Sequence, residues 1–188
     1  MDYAFKMAQT RKRKHVTSAT KSNGIVHTMP FWDERFEAVA ANYPDVETAK
    51  FHIDILVAHF VLHPDRFDVV VGSNLFGDIL SDEISVLGGS IGLLPSASLG
   101  SGGPGLFEPI HGSAFDIMGQ GIANPVGTFW SSVMLLDHLG EHQASTRLMT
   151  AIEQVTADAR FHTPDLGGTA TTREVTDAVI NSIRGANT

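Results

Sequence analysis

Asp78 and Asp82 stand four residues apart in the segment Asn74-Leu75-Phe76-Gly77-Asp78-Ile79-Leu80-Ser81-Asp82. On a helix this spacing stacks both carboxylates on one face. Like charges so placed repel, so the helix gains nothing from the pair itself. A hard divalent cation reverses the sign, because Mg²⁺ and Mn²⁺ prefer carboxylate oxygens. Taken alone, such a pair is more often a solvated acidic face than a metal site. Lys21 sits in the turn Lys21-Ser22-Asn23-Gly24. A lysine serves as a general base only where its surroundings lower its pKa, as burial near a cation does; alone, a lysine in such a turn is an exposed turn residue. His111-Gly112-Ser113 reads by itself as a polar surface turn. His59 and His63 have a spacing compatible with a transition-metal pair, but no H-E-x-x-H context surrounds them and surface positions explain them more simply.

The elements that must position these groups follow from periodicity. Tyr3 to Arg13 reads as a helix, and the run Arg11-Lys12-Arg13-Lys14 as cations at its C-terminus, where the helix dipole favours them. His15 to Thr20 alternates as a strand. Pro30 opens a helix through Ala41, with Asp33 and Glu34 in its first turn. Lys50 to Ile55 reads as a strand ending near Asp54, and Ile55 to Leu62 as a helix. The apolar run Phe67–Val71 predicts a buried strand feeding the Asp78/Asp82 helix, which Gly88-Gly89 ends. Strands alternating with helices in this way predict an α/β layered fold. From Gly88 to Gly105 the chain is rich in Gly and Ser yet keeps Ile91, Leu93, Leu94 and Leu99, anchors that a flexible linker lacks; ordered loops and short strands between two lobes are expected. Further helices are expected at Val126–Leu139 and Ala144–Arg160. Asp165-Leu166-Gly167-Gly168-Thr169 reads as a turn. A capping-box pattern, Thr171-x-x-Glu174, precedes a terminal helix. Trp32 and Trp130 are expected in the core.

Composition narrows the function classes. The chain has 188 residues, 43% hydrophobic, enough for one sizeable core or two small lobes. With 13 basic and 21 acidic residues its net charge is −8, which offers no general attraction to nucleic acid or an anionic membrane. Cysteine is absent, which excludes disulfides, thiolate nucleophiles and cysteine metal sites. No signal peptide is evident at the start, and no apolar run is long enough to span a bilayer. A cytoplasmic location is expected.

Ser73 to Asp82 resembles the signature of the metal-dependent β-decarboxylating dehydrogenases, the family of the isopropylmalate, isocitrate, tartrate and D-malate dehydrogenases. Gly89-Ser90-Ile91-Gly92-Leu93-Leu94-Pro95-Ser96-Ala97, Phe107-Glu108-Pro109-Ile110-His111-Gly112-Ser113-Ala114 and Gly121-Ile122-Ala123-Asn124-Pro125 resemble later segments of the same family, in the same order. The resemblance runs from about Tyr3 to Ile183. Ala19–Ile25, Met29–Arg35 and His52–Leu56 look like the tartrate/D-malate branch, whereas Leu93–Gly100 looks more like isopropylmalate dehydrogenase. Phe115 stands where the family usually has proline.

The resemblance implies part of the two-domain isopropylmalate dehydrogenase-like α/β fold, layered helices on a mixed sheet. Residues 1–88 would be a partial substrate, metal and dimerisation domain, and residues 89–188 the C-terminal part of the dinucleotide-binding domain. The implied reaction is NAD-dependent, Mg²⁺- or Mn²⁺-assisted oxidative decarboxylation of a malate-type 2-hydroxy dicarboxylate. By resemblance Asp54, Asp78 and Asp82 hold the metal, Lys21 is the base aided by Asp54, and Asn23 lies near the substrate. His111, Gly112, Ser113, Ala114, Asp116 and Asn124 wrap the adenosine. There is no G-x-G-x-x-G fingerprint; at Asp116 a carboxylate can accept from a ribose 2′-hydroxyl and repels a 2′-phosphate, which favours NAD over NADP. A homodimer is implied, with Lys21 and one metal aspartate reaching across the subunit interface. The chain corresponds to the C-terminal half of longer members. The arginines that hold substrate carboxylates and the proton-donor tyrosine are expected in the other half; Tyr3 lies too close to the basic run to be that tyrosine. The alternative is a non-catalytic dimerising fragment, or one piece of a split enzyme that needs an N-terminal partner.

Overall fold

A computed structural model describes residues 1–185. The chain divides into two compact units, the first Met1–Ile84 and the second from Ser85 onward.

The first unit is built on β1 (His15–Thr20), the centre of a parallel sheet in the order β2-β1-β3, where β2 is Glu47–His52 and β3 is Val69–Val71. Val16 pairs with Thr48 on one side and Val69 on the other. Successive side chains of a strand point to opposite faces, so β1 serves two cores. Val16 joins Phe5, Phe36 and Val46, contributed by α1 (Asp2–Gln9), α2 (Met29–Ala40) and the turn before β2. Ala19 joins Leu56, Phe60, Phe76 and Leu80 from α3 (Ile53–Leu62) and α4 (Asn74–Leu87). The Trp32 indole N–H donates to the buried Ser18 hydroxyl at 3.0 Å, which anchors α2 to β1.

Three local expectations change. α1 ends at Gln9, so the basic run lies beyond it. Its cations instead staple loops of the same unit: Arg11 pairs with Asp68, Arg13 donates to the Asp65 and Arg66 carbonyls, and Lys14 pairs with Asp45. Asp33 lies beyond the first turn of α2, is buried, and pairs with Lys50 at 3.3 Å. The strand expected up to Ile55 stops at His52, and Asp54 belongs to the first turn of α3.

In the second unit, β4 (Pro95–Ser98) and β5 (Leu106–Pro109) pair antiparallel. Helices α5 (Val126–His138), α6 (His142–Thr156) and α7 (Thr172–Gly185) enclose a core of Val126, Val133, Ile152, Val155, Val175 and Val179. Trp130 packs at the edge of that core. The Gly/Ser-rich stretch is ordered: it contains a 3₁₀ turn at Ile91–Leu93 and then β4. α5 packs closely on that turn, since a Cβ at Gly127 would stand 2.9 Å from the Gly92 carbonyl oxygen. The capping box forms, with the Thr171 N–H donating to the Glu174 carboxylate at 2.8 Å and the Glu174 N–H to the Thr171 hydroxyl at 3.2 Å. No helix among the described residues is long and apolar enough to cross a membrane.

Candidate active site

β1 and β2 run parallel in register, Thr20 opposite His52. Both chains therefore leave the sheet at the same carboxyl edge, the edge at which α/β sheets bind ligands. Lys21 follows β1 directly, and Asp54 follows β2 in the first turn of α3. The two side chains meet: Lys21 Nζ donates to Asp54 Oδ1 at 2.7 Å. The Lys21 hydrogen bond is the largest of the influences that hold the Asp54 carboxyl below the usual carboxylate range. Lys21 is half-buried, whereas Asp54 is largely exposed, so the pair is open to a ligand on the carboxylate side. Asn23 is exposed in the turn that follows.

β3 leaves the same sheet and leads into α4, which carries Asp78 and Asp82. Both carboxylates are exposed on the same helical face. The donor chemistry suits Mg²⁺ or Mn²⁺. Yet among the described residues of a single chain no three acidic or histidine side chains gather closely enough to hold a metal ion. One chain brings Lys21 to Asp54 and sets Asp78 beside Asp82, but it does not bring all three aspartates together. The exposed face around them is apolar. Ile55 on α3 is 46% exposed, Leu75 and Ile79 on α4 are 62% and 51% exposed, and Val61 and Leu62 are open as well.

The second unit contains a cavity of about 360 Å³, within the size range of small-molecule sites. Its apolar walls include Ile91, Ile117 and Ile122, and its polar groups are Ser90, His111, Asn124 and Asp165. Gly112 and Ala114 also line it. Ser113 lines a second cavity that shares His111, Gly112 and Ala114. Asp116 lines neither and is exposed. His111 Nδ1 donates to the Gly112 carbonyl at 2.9 Å, which assigns the proton to Nδ1 and leaves Nε2 as an acceptor in the neutral ring. Asn124 is committed at both ends: its Oδ1 accepts from the Val126 N–H and its Nδ2 donates to Asp165 Oδ2, each at 3.0 Å.

Asp165 is a site residue that reading the sequence missed. Its carboxylate also accepts from the hydroxyls of Ser90 and Thr163, each at 2.5 Å. Burial opposes its ionisation, but the hydrogen bonds from Ser90, Thr163 and Asn124 outweigh it and hold the carboxyl below its usual range. In sequence it lies 75 residues from Ser90 and 41 from Asn124. The one local signal was Thr163 two residues before it.

A family model described as isocitrate/isopropylmalate dehydrogenase matches residues 1–179. A probable tartrate dehydrogenase/decarboxylase of Bacillus subtilis is 54% identical over 98% of this chain and 52% of its own length. A decarboxylating D-malate dehydrogenase of Escherichia coli is 54% identical over 96% of this chain and 52% of its own. The crystal structure of an isocitrate dehydrogenase from Methylococcus capsulatus superposes with a TM-score of 0.93 at 39% identity, covering 97% of this chain and 54% of that one. The chain thus spans about half the length of the curated relatives it matches.

Proposed function

The chain belongs to the isocitrate/isopropylmalate dehydrogenase family, and on that premise we propose that it takes part in the NAD-dependent, Mg²⁺- or Mn²⁺-assisted oxidative decarboxylation of a malate-type 2-hydroxy dicarboxylate. The relatives named above support tartrate or D-malate as substrate class. The single observation that carries the reading is the Lys21–Asp54 hydrogen bond of 2.7 Å at the carboxyl edge of the parallel sheet. A general base must lie within hydrogen-bond reach of the proton it takes. Lys21 Nζ would pass a proton to Asp54 Oδ1, 2.7 Å away, and the neutral amine so formed would then take the substrate hydroxyl proton. Asn23, exposed in the same turn, orients the substrate beside the nicotinamide.

Asp54, Asp78 and Asp82 would hold the divalent cation, which when bound polarises the oxygen at C2 and stabilises the enolate left by loss of CO₂. A single chain does not gather these three, so Asp54 comes from one copy and Asp78 with Asp82 from the other. The exposed apolar side chains of α3 and α4 beside them support such a homodimer. His111, Gly112, Ser113, Ala114 and Asn124 hold the adenosine, the apolar walls of the cavity suiting a heteroaromatic ring. Asp116, exposed on the same loop, selects against a 2′-phosphate.

A second reading is that these residues turn over substrate only together with the part of the relatives' length that they do not cover, since they span 52% of it. NADH formation from D-malate or tartrate with Mn²⁺ tests both, using the chain alone and the chain mixed with a separately expressed N-terminal half. Negligible turnover alone and turnover on mixing is the expected result, because loss of the groups that position substrate multiplies through the rate. Robust turnover by the chain alone overturns the need for a second half. No turnover in either sample contradicts the enzyme reading.

A further inference from the structure

The polar end of the cavity is a closed hydrogen-bond network drawn from three separate stretches of chain. The Gly92 N–H donates to the Ser90 hydroxyl at 2.9 Å, and that hydroxyl donates onward to Asp165 Oδ2. Asn124 Nδ2 donates to the same oxygen, while Thr163 occupies Oδ1. Asn124 Oδ1 is taken by the Val126 N–H at the start of α5. The Asn124 amide therefore has one permitted orientation, and its Nδ2 keeps one hydrogen unclaimed by this network. The packing leaves no slack. A Cβ at Gly92 would stand 2.9 Å from Asn124 Cβ and 3.1 Å from Asp165 Oδ2.

We propose that Asp165 is the positioning residue of this cavity: its carboxylate draws together the turn Ile91–Leu93, the start of α5 and the turn Pro164–Leu166, and so aims the Asn124 amide at the adenine-type ring of a bound nucleotide. The inference rests on the reading that this cavity holds the adenosine of the cofactor. Charge is essential to the role. A carboxylate accepts from three donors at once, whereas an amide at position 165 would turn its own N–H groups toward at least one of them. Hydrogen bonds to a charged group are the stronger kind, and here they fix a side chain that itself lines the cavity. Asp165 acts through Asn124 and needs no contact with the ring.

The test uses the 188-residue chain and AMP, because every residue lining the cavity lies between Ser90 and Asp165. AMP affinity is measured by calorimetry for the wild type, Asp165→Asn and Thr163→Val, the last nearly isosteric and removing one of the three donors. The side-chain amide resonances of Asn124 are followed by NMR in the same proteins. The expected result is a loss of about tenfold or more in Asp165→Asn at a temperature where it is folded, given the strength of charged hydrogen bonds. A loss of a few-fold is expected in Thr163→Val, and a displacement of the Asn124 amide signals in both. A merely structural role lowers the melting temperature but moves neither affinity nor those signals in folded protein. If Asp165→Asn fails to fold, Thr163→Val decides: unchanged affinity and unchanged Asn124 signals overturn the proposal. Wild-type binding with equal affinity in Asp165→Asn overturns the proposal and leaves the adenosine reading standing. No AMP binding by the wild type overturns both.

Discussion

At the scale of residues, two carboxylates do opposite things with their charge. Asp54 is exposed and its oxygen accepts from Lys21, so its charge is available to a ligand. Asp165 spends its charge on three neighbours. Its folded-state pKa lies below its unfolded value. The stability it contributes is therefore complete above the ordinary carboxylate pKa of about 3.9 and is lost as pH falls through the lowered folded value. Thermal melts across that acid interval are expected to drop more steeply for the wild type than for Asp165→Asn; parallel curves would remove Asp165 from the acid-sensitive groups. Asp116 has a different role to test. It faces solvent on the loop after His111, and repulsion of a 2′-phosphate predicts that NAD binds better than NADP. Asp116→Ala is expected to narrow that ratio in calorimetry by several-fold, about the effect of one exposed like-charge contact. An unchanged ratio would assign selectivity elsewhere.

At the scale of elements, local chemistry decided what could be read. The reciprocal bonds of Thr171 and Glu174 are an intrinsically local device, so the capping box was legible from four residues. Thr171→Ala is expected to cost about 1 kcal/mol, the usual worth of an N-cap hydroxyl, and urea melts measure it; no change would make the cap dispensable to α7. β1 was legible because its alternation serves two cores, and α4 because Gly88-Gly89 ends it. The start of α3 was not. Ile53 to Leu62 is apolar almost throughout, which hides the helical period, and His52 passes from extended strand into helix without a side-chain cap. The local pattern consequently places Asp54 at a strand end, whereas it lies in the first turn of α3. The role of the basic run after α1 is hidden for a related reason. Its partners Asp65, Arg66 and Asp68 lie more than 50 residues away, and only the parallel pairing of β1 with β3 brings those loops beside it. The Asp165 network was illegible on the same ground, since convergence over such distances leaves no local pattern.

At the scale of the whole molecule, the proposed metal set is divided by geometry. Lys21 and Asp54 are joined in one chain, Asp78 and Asp82 stand together on α4, and no single chain gathers three acidic groups among its described residues. On the proposal of a homodimer, the exposed apolar side chains of α3 and α4 would be buried between two copies, with the aspartates at the seam. A cation that binds only the folded, assembled protein raises its melting temperature, by an amount equivalent to about 2.7 kcal/mol at 100-fold excess over Kd. Mn²⁺ binding, read as that shift together with the spectroscopic signal of bound metal, is measured on Asp54→Asn, on Asp78→Asn, and on the two mixed and allowed to exchange subunits. Each variant alone is predicted to bind no Mn²⁺, because every site in it lacks one carboxylate. The mixture is predicted to recover roughly a quarter of the wild-type sites, since half of randomly formed dimers are mixed and each mixed dimer rebuilds one of its two sites. A mixture that binds no more than its components, or full binding by Asp54→Asn alone, would contradict a site shared between two copies.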